Sequence, residues 1–386
     1  MFPVLPSRIP PELDQLILDV TTASAALGRG INPLILEEIS RLMVKVNSYH
    51  TNAMEGNPSK LKDIEAALNK HLSKDKTARN YQQEHLAHIE VQEAMVHRLK
   101  AEPDLKICSE EFLRWIHEQF YNRLPADMRF ATTVSGESVP VVPGELRDRG
   151  ISVGRHDTPV VTRDEVHSYL GKFEESLSPE RLAGSQKLLG MASSHHRFLW
   201  IHPFPDGNGR VARLLSIAYA YKIGIATTML WTVTRAFARH RPDYDANLEW
   251  ADQKPRNSLD GRGPLSEENL VKFCAFFLEC CKDQIGYMDE TLKLAELERR
   301  YGHYIEGLEK DKIISKAGVK VMGQLLLQGE IPRAQVQGIS DVKQRRATDI
   351  IKELFDAKIV RSESAYGPLR LSITTEMSAM LFPGLA

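Results

Sequence analysis

Trp200-Ile201-His202-Pro203-Phe204-Pro205-Asp206-Gly207-Asn208-Gly209-Arg210-Val211-Ala212-Arg213 is the stretch on which the reading of this chain turns. An apolar run, Phe198 to Ile201, ends in a histidine. A turn rich in Pro, Gly and Asn follows, and a helical pattern then runs from Val211 to Tyr221. Such a loop feeds a helix N-terminus, where unpaired N–H groups and the helix dipole attract anions. Gly207 and Gly209 allow the backbone to come close to a ligand, and Asn208 tolerates the same geometry. Arg210 and Arg213, three positions apart, share one side of the first helical turns and suit phosphate oxygens. Asp206 is a carboxylate beside that anion site, where a Mg²⁺ ligand belongs. His202 is the residue of the stretch able to take a proton near neutral pH.

The stretch resembles the signature of the Fic family (filamentation induced by cAMP), His-x-Phe-x-Asp/Glu-Gly-Asn-Gly-Arg-x-x-Arg. All eight fixed positions are filled, by His202, Phe204, Asp206, Gly207, Asn208, Gly209, Arg210 and Arg213. The resemblance implies a mainly α fold: a Fic-type helical core with a small β-hairpin flap. It also implies a protein adenylyltransferase with ATP as co-substrate and Mg²⁺ as cofactor. Asp206 would hold the metal, Gly207, Asn208 and Gly209 the α- and β-phosphates, and Arg210 and Arg213 the β/γ end. His202 would accept the proton of a target Tyr, Thr or Ser hydroxyl, or of a residue of the chain itself. Phe204 is expected in the core.

Upstream, Leu34, Ile35, Ile39, Leu42 and Val46 recur at helical spacing, and Gly56 and Pro58 end that helix. Thr51 and Glu55 lie one turn apart near its end. Thr51-x-x-x-Glu55-Gly56 resembles the inhibitory-helix motif of many Fic proteins, which implies that Glu55 pairs with Arg213 at the ATP site and inhibits the enzyme. A carboxylate there removes a γ-phosphate partner and adds negative charge where the triphosphate lies. Leu61 to Leu99 is read as helical. Its His85 and His88 are expected to be solvated or hydrogen-bonded, not metal ligands. Phe112 to Leu124 is a further amphipathic helix.

Ser138 to Pro143 and Ile151 to Gly154 read as two short strands around Gly144-Glu145-Leu146-Arg147. Pro143-Gly144-Glu145-Leu146-Arg147 resembles the lead-in to the Fic flap. A target protein is therefore expected to dock on residues 144–154 by β-augmentation. Arg181 to Trp200 is the helix delivering His202. By resemblance the region around Tyr244 walls the nucleoside pocket, although Asp245 stands where a second aromatic is usual.

The polar, Gly/Pro-rich segment Lys254–Pro264 marks a linker. Glu267 to about Leu308 reads as one long helix, followed by three helix-like units at Ile314–Leu327, Ile331–Gly338 and Val342–Ile359. Val360–Glu363 and Tyr366–Leu371 look like a two-stranded wing, and the end of the chain resembles a winged helix-turn-helix. From Lys310 to Arg370 twelve Lys/Arg stand against seven Asp/Glu. A helix carrying Lys343, Arg345, Arg346 and Lys352 suits DNA phosphates, and suits a protein partner or solvent equally. The division expected is 1–100, an N-terminal helical region with the inhibitory helix; 101–265, the catalytic core; 266–310, a connecting helix; and 311–386, a winged-helix-like domain.

At 386 residues the chain has room for two or three domains, and a net charge of −1 makes bulk charge a guide to neither nucleic acid nor membrane. No apolar run approaches the roughly 20 residues of a membrane span. Cys108, Cys274, Cys280 and Cys281 have neither metal-site nor disulfide spacing, which fits a cytoplasmic protein. A homodimer is left open. Two other readings compete: a Fic phosphotransferase, which tends to carry Lys where this chain has Gly209, and a nucleotide-sensing transcriptional regulator acting through the winged helix.

Overall fold

Apolar residues recur at helical spacing through most of the chain, and helices result. The computed structural model describes residues 1–132, 136–150, 152, 153, 156, 157 and 162–386. In chain order the first elements are α1 (Pro11–Ala26), α2 (Pro33–Met54), α3 (Leu61–Leu68), α4 (Lys76–Ala101) and α5 (Glu110–Arg123). Four short strands follow: β1 (Phe130–Thr132), β2 (Ser138–Pro140), β3 (Ser152–Val153) and β4 (His156–Asp157). Then come α6 (Arg163–Leu177), α7 (Gln186–Ile201), α8 (Asn208–Lys222), α9 (Val233–Arg239), α10 (Arg241–Ala251) and α11 (Glu267–Thr291). The last part holds α12 (Leu294–Lys310), α13 (Lys316–Gln328), β5 (Glu330–Ile331), α14 (Val336–Ser340), α15 (Gln344–Asp356), β6 (Val360–Arg361), β7 (Leu369–Leu371) and α16 (Thr375–Leu381). No helix among the described residues is long and apolar enough to cross a membrane.

The chain divides into two compact units. The first comprises Met1–Ala25 and Asn47–Ile285, the second Ala26–Val46 and Gly286–Ala386. Helix α2 is shared, residues 33–46 counting with the second unit and residues 47–54 with the first.

In the first unit α7 is buried along almost its whole length and packs against α6 and α8, while α4 and α5 flank α8. A helix buried all round must satisfy its own polar side chains. His195 does so with Ser216 Oγ at 2.8 Å and Tyr244 Oη at 2.9 Å, and His196 with Asp252 Oδ1 at 3.1 Å. Capping fixes the neighbouring helix starts: Ser109 Oγ accepts from Phe112 N–H before α5, and Thr162 with Glu165 forms a capping box before α6.

The second unit packs α13, α14 and α15 with an antiparallel sheet in the order β5-β7-β6. Helix α15 buries Ala347, Ile350 and Leu354 and turns Lys343, Arg345 and Lys352 outward. Arg361 of β6 donates through Nε to the buried Glu38 at 2.6 Å.

Several boundaries differ from the sequence reading. Leu61–Leu99 is two helices, broken at residues 69–75, where Lys70 takes φ +63°. The helix before His202 begins at Gln186, after a 3₁₀ turn at Pro179–Arg181 and left-handed Gly184. The segment from Glu267 breaks between Thr291 and Leu294, where Arg300 donates to Thr291 O and satisfies that helix end. Glu330–Ile331 is a third strand, not helix, because Ile331 precedes Pro332 and is biased to extended backbone.

The expected single hairpin is replaced by two. Ser138–Pro140 pairs with Phe130–Thr132, and Ser152–Val153 pairs with His156–Asp157. Residues 141–147 make no strand: Val141 N–H goes to Arg129 O, Gly144 N–H to His117 Nδ1, Glu145 N–H to Val142 O and Arg147 N–H to Pro203 O in the loop before α8. Ile151 and Gly154 of the expected second strand lie outside the described residues.

Candidate active site

The site forms where α7 ends and α8 begins. His202 caps α7 in the left-handed region (φ 51°, ψ 60°), a conformation that costs about 1–2 kcal/mol outside glycine. The reversal turns its half-buried imidazole off the helix axis. His202 Nδ1 lies 3.3 Å from Leu199 O. A carbonyl only accepts, so Nδ1 carries the proton in that contact and Nε2 is the basic nitrogen.

The six-residue bend to α8, residues 202–207, is braced from inside. Asn208 accepts at Oδ1 from Phe204 N–H at 3.0 Å and donates through Nδ2 to Phe204 O at 2.8 Å. Its side chain is therefore the loop's own clasp. Phe204 is fully buried and stacks on His117, with ring centroids 4.0 Å apart. Gly207 (φ +79°) is the cap of α8, and a side chain there would meet the Tyr121 ring at 2.9 Å. The first N–H groups of α8 have no partner within the helix and face the bend.

Two α5 residues, one turn apart, hold Asp206. Tyr121 Oη donates to Asp206 Oδ2 at 2.7 Å, and His117 Nε2 lies 3.2 Å from Asp206 O. Gly144 N–H donates to His117 Nδ1 at 2.9 Å, so the proton of this imidazole sits on Nε2. Burial depresses the His117 pKa to about 3, outweighing the bond to Asp206, and the ring is neutral. Asp206 is half-buried, and among the described residues its Oδ1 makes no hydrogen bond.

The two motif arginines are occupied. Arg213 Nη2 is ion-paired with Glu55 Oε1, and Arg213 Nε donates to Thr51 Oγ1 at 2.5 Å. Arg210 Nε donates to Asn52 Oδ1 at 3.2 Å, its Nη2 lies 3.4 Å from Glu84 Oε1, and its guanidinium covers the Phe120 ring at 5.0 Å. Glu55 also lies over the start of α8: a Cβ on Gly209 would sit 2.8 Å from Glu55 Oε1 and 3.0 Å from Arg213 Nη1. Burial pushes the Glu55 carboxyl up, but Arg213, Arg210 and Arg241 outweigh it and bring its pKa down to about 2. The end of α2 is secured twice more. Gly56 (φ +86°) turns the chain, with Asn57 N–H bonded to Asn52 O at 2.9 Å, and Arg241 Nη1 donates to Met54 O at 2.6 Å.

Glu55, Gly209 and Arg213 thus come together at the start of α8, and His202, Asp206 and Gly207 lie in the bend that Asn208 closes just before it. Arg210 joins them from the buried side. Tyr244 is 3 % exposed, stacks on Phe237 and bonds His195 through its hydroxyl, so it lies within the core of the first unit. His117, Tyr121, Asn52 and Glu84 were not anticipated. Their only trace in the sequence is a polar side chain on the apolar face of a helix. His85 and His88 are both fully buried: His85 is hydrogen-bonded, as expected, through Nδ1 to Ser48 Oγ at 3.1 Å, whereas among the described residues neither ring nitrogen of His88 has a partner.

The donor set suits Mg²⁺ bound through one carboxylate and substrate phosphates, since Asp206 keeps one oxygen open beside the helix start. Among the described residues no group of three or more His, Cys, Asp or Glu converges as a metal site of its own.

Residues 107–220 match the Fic/DOC family. The protein adenylyltransferase fic-1 of Caenorhabditis elegans is 33% identical over 119 residues, which is 31% of this chain and 22% of that protein. Protein adenylyltransferase Fic of Drosophila erecta is 34% identical over 82 residues, 21% of this chain and 16% of that protein. The matched region therefore spans about a fifth of those relatives. A Fic family protein from Desulfovibrio desulfuricans superposes with a TM-score of 0.56 at 17% identity, covering 95% of this chain and 98% of the other. A Fic-domain signalling protein from Bacteroides thetaiotaomicron gives 0.55 at 17% identity over 72% and 97%. These likenesses establish the fold: mainly helical and Fic-type.

Proposed function

Residues 107–220 of this chain are a Fic/DOC domain, and from that premise we propose that the protein transfers AMP from ATP to hydroxyl side chains of a target protein or of itself, with Glu55 as an internal brake. The observation that supports this most is the meeting of His202, the open oxygen of Asp206 and the start of α8 around one bend.

In this reading the N–H groups of residues 207–209 receive the α- and β-phosphates, and Arg213 receives the γ end once Glu55 leaves. Arg210 adds positive charge from the buried side. Mg²⁺ held by Asp206 supplies charge neutralisation on the phosphates. His202 Nε2 takes the proton of the incoming Tyr, Thr or Ser hydroxyl, whose oxygen bonds to the α-phosphorus as the bond to the bridging oxygen breaks. Pyrophosphate leaves. Transfers of this kind depend mainly on position and charge, which this set of groups provides. Residues 144–154 are the docking edge for the target, and Tyr244 supports the nucleoside side from within.

The test is α-³²P-ATP with Glu55→Gly protein in cell lysate, against Glu55→Gly/His202→Ala. Labelled bands with the first and none with the second are expected. Equal labelling removes His202 from the chemistry. The mass added to a labelled band separates AMP from phosphate transfer.

A second reading concerns the second unit alone. Lys343, Arg345 and Lys352 stand exposed on α15, and none is ion-paired among the described residues. This favours contact with DNA phosphates, to be checked by gel shift at two salt concentrations.

A further inference from the structure

His202 is a non-glycine residue in the left-handed region, and it precedes Pro203, which disfavours helical backbone before it. A bend of this kind persists only where its surroundings hold it. Here the carbonyls of three consecutive residues end on one side chain and its own backbone. Arg147 donates through Nη2 to Ile201 O at 3.1 Å and through Nε to His202 O at 2.6 Å. Its main-chain N–H donates to Pro203 O at 2.9 Å. A further donor, Nη1, reaches Arg149 O at 2.6 Å, which closes the loop on itself. Arg147 as a whole is 2% exposed. Three residues earlier, Gly144 N–H holds His117, which in turn reaches Asp206 O. Residues 144–147 therefore grip the bend at both ends: at 201–203, where the imidazole is set, and at 206, where the carboxylate is set.

We propose that Arg147 is a positioning residue for transfer, fixing the left-handed bend that aims the His202 imidazole, and that the first residues of the docking segment and the catalytic bend act as one body through it. This rests on the reading of His202 as the proton acceptor. A planar fork is needed because two carbonyls of adjacent residues diverge. An ammonium delivers the charge without that geometry. Arg147 acts on orientation and touches no phosphate, so its loss should fall on turnover and spare nucleotide affinity.

The experiment uses the full chain in the Glu55→Gly background and compares Arg147→Lys, Arg147→Ala and His202→Ala. Self-labelling is followed against ATP concentration, with thermal melting as the check on folding. Arg147→Lys is expected to melt as a cooperative fold, to keep KM for ATP within about twofold, and to lose kcat by about a hundredfold. Adding guanidinium ion at millimolar concentration to Arg147→Ala should restore kcat by about tenfold, because the ion refills the fork's site. Unchanged kcat in folded Arg147→Lys overturns the proposal. So does a loss carried by KM, absence of guanidinium rescue in folded Arg147→Ala, or unfolding of both variants, which would make Arg147 a brace of the whole fold. Labelling that survives His202→Ala sinks the functional reading itself. Labelling lost in His202→Ala yet intact in Arg147→Lys sinks the positioning role alone.

Discussion

Tyr121 donates its hydroxyl to Asp206 Oδ2 at 2.7 Å, leaving Oδ1 as the oxygen with no hydrogen bond among the described residues. A carboxylate with one oxygen committed has a fixed orientation for the other. Tyr121→Phe removes that tether without changing the ring beside Gly207. A hydrogen bond to a charged group is worth about 1.5–3 kcal/mol, so labelling should fall about tenfold or more. The Mg²⁺ concentration for half-maximal rate should rise. A magnesium titration of self-labelling checks this, and an unchanged midpoint would show that Asp206 needs no tether.

Glu55→Gly should raise both ATP binding and self-labelling by at least about tenfold, the scale of a charge-assisted pair lost from Arg213. Isothermal titration with ATP measures the first, and radiolabel incorporation the second. Equal values for wild type and variant would mean that the ion pair is structural and no brake.

The same ion pair predicts what acid does not do. The Glu55 pKa lies at about 2 against an ordinary 4.5. A depressed carboxylate keeps its contribution above pH 4.5 and loses it only as pH falls toward 2. Mild acid therefore leaves the ion pair in place. The ratio of Glu55→Gly to wild-type activity should be constant from pH 8 to pH 5.5. A ratio that collapses toward one in that window would contradict the charged lock.

Fold stability should behave differently. Burial depresses His85 to about 4, His117 to about 3 and His195 to about 3, and lowers His88 and His196 as well. Below their ordinary value of 6.5 the unfolded chain binds protons that the folded chain does not, so stability falls with falling pH. His85, His117 and His195 each cost about 1 kcal/mol by pH 5.5. The melting temperature should drop by several degrees between pH 7 and pH 5.5, and His88→Gln should flatten that slope. A melting temperature independent of pH in this range would show that these rings are hydrated.

The sequence determined the chemistry of the bend, because Gly207, Asn208, Gly209 and the paired arginines act through local geometry that neighbours in the chain impose on one another. It also determined the helical class, and it placed Thr51 and Glu55 on one helical face. Tertiary structure alone decided which groups set that bend. His117 and Tyr121 arrive from α5, Arg147 from a loop expected to turn a hairpin, and Glu84 from α4. Arg147 sits in a stretch whose sequence pointed to another role, and the others have no local pattern to betray them, since a buried hydrogen bond between distant segments depends on where the packed helices bring them. The strand pairing followed the same logic. Arg147 commits its donors to residues 201–203 and Gly144 its N–H to His117, so neither offers a ladder bond, and Ser138–Pro140 pairs with Phe130–Thr132 instead.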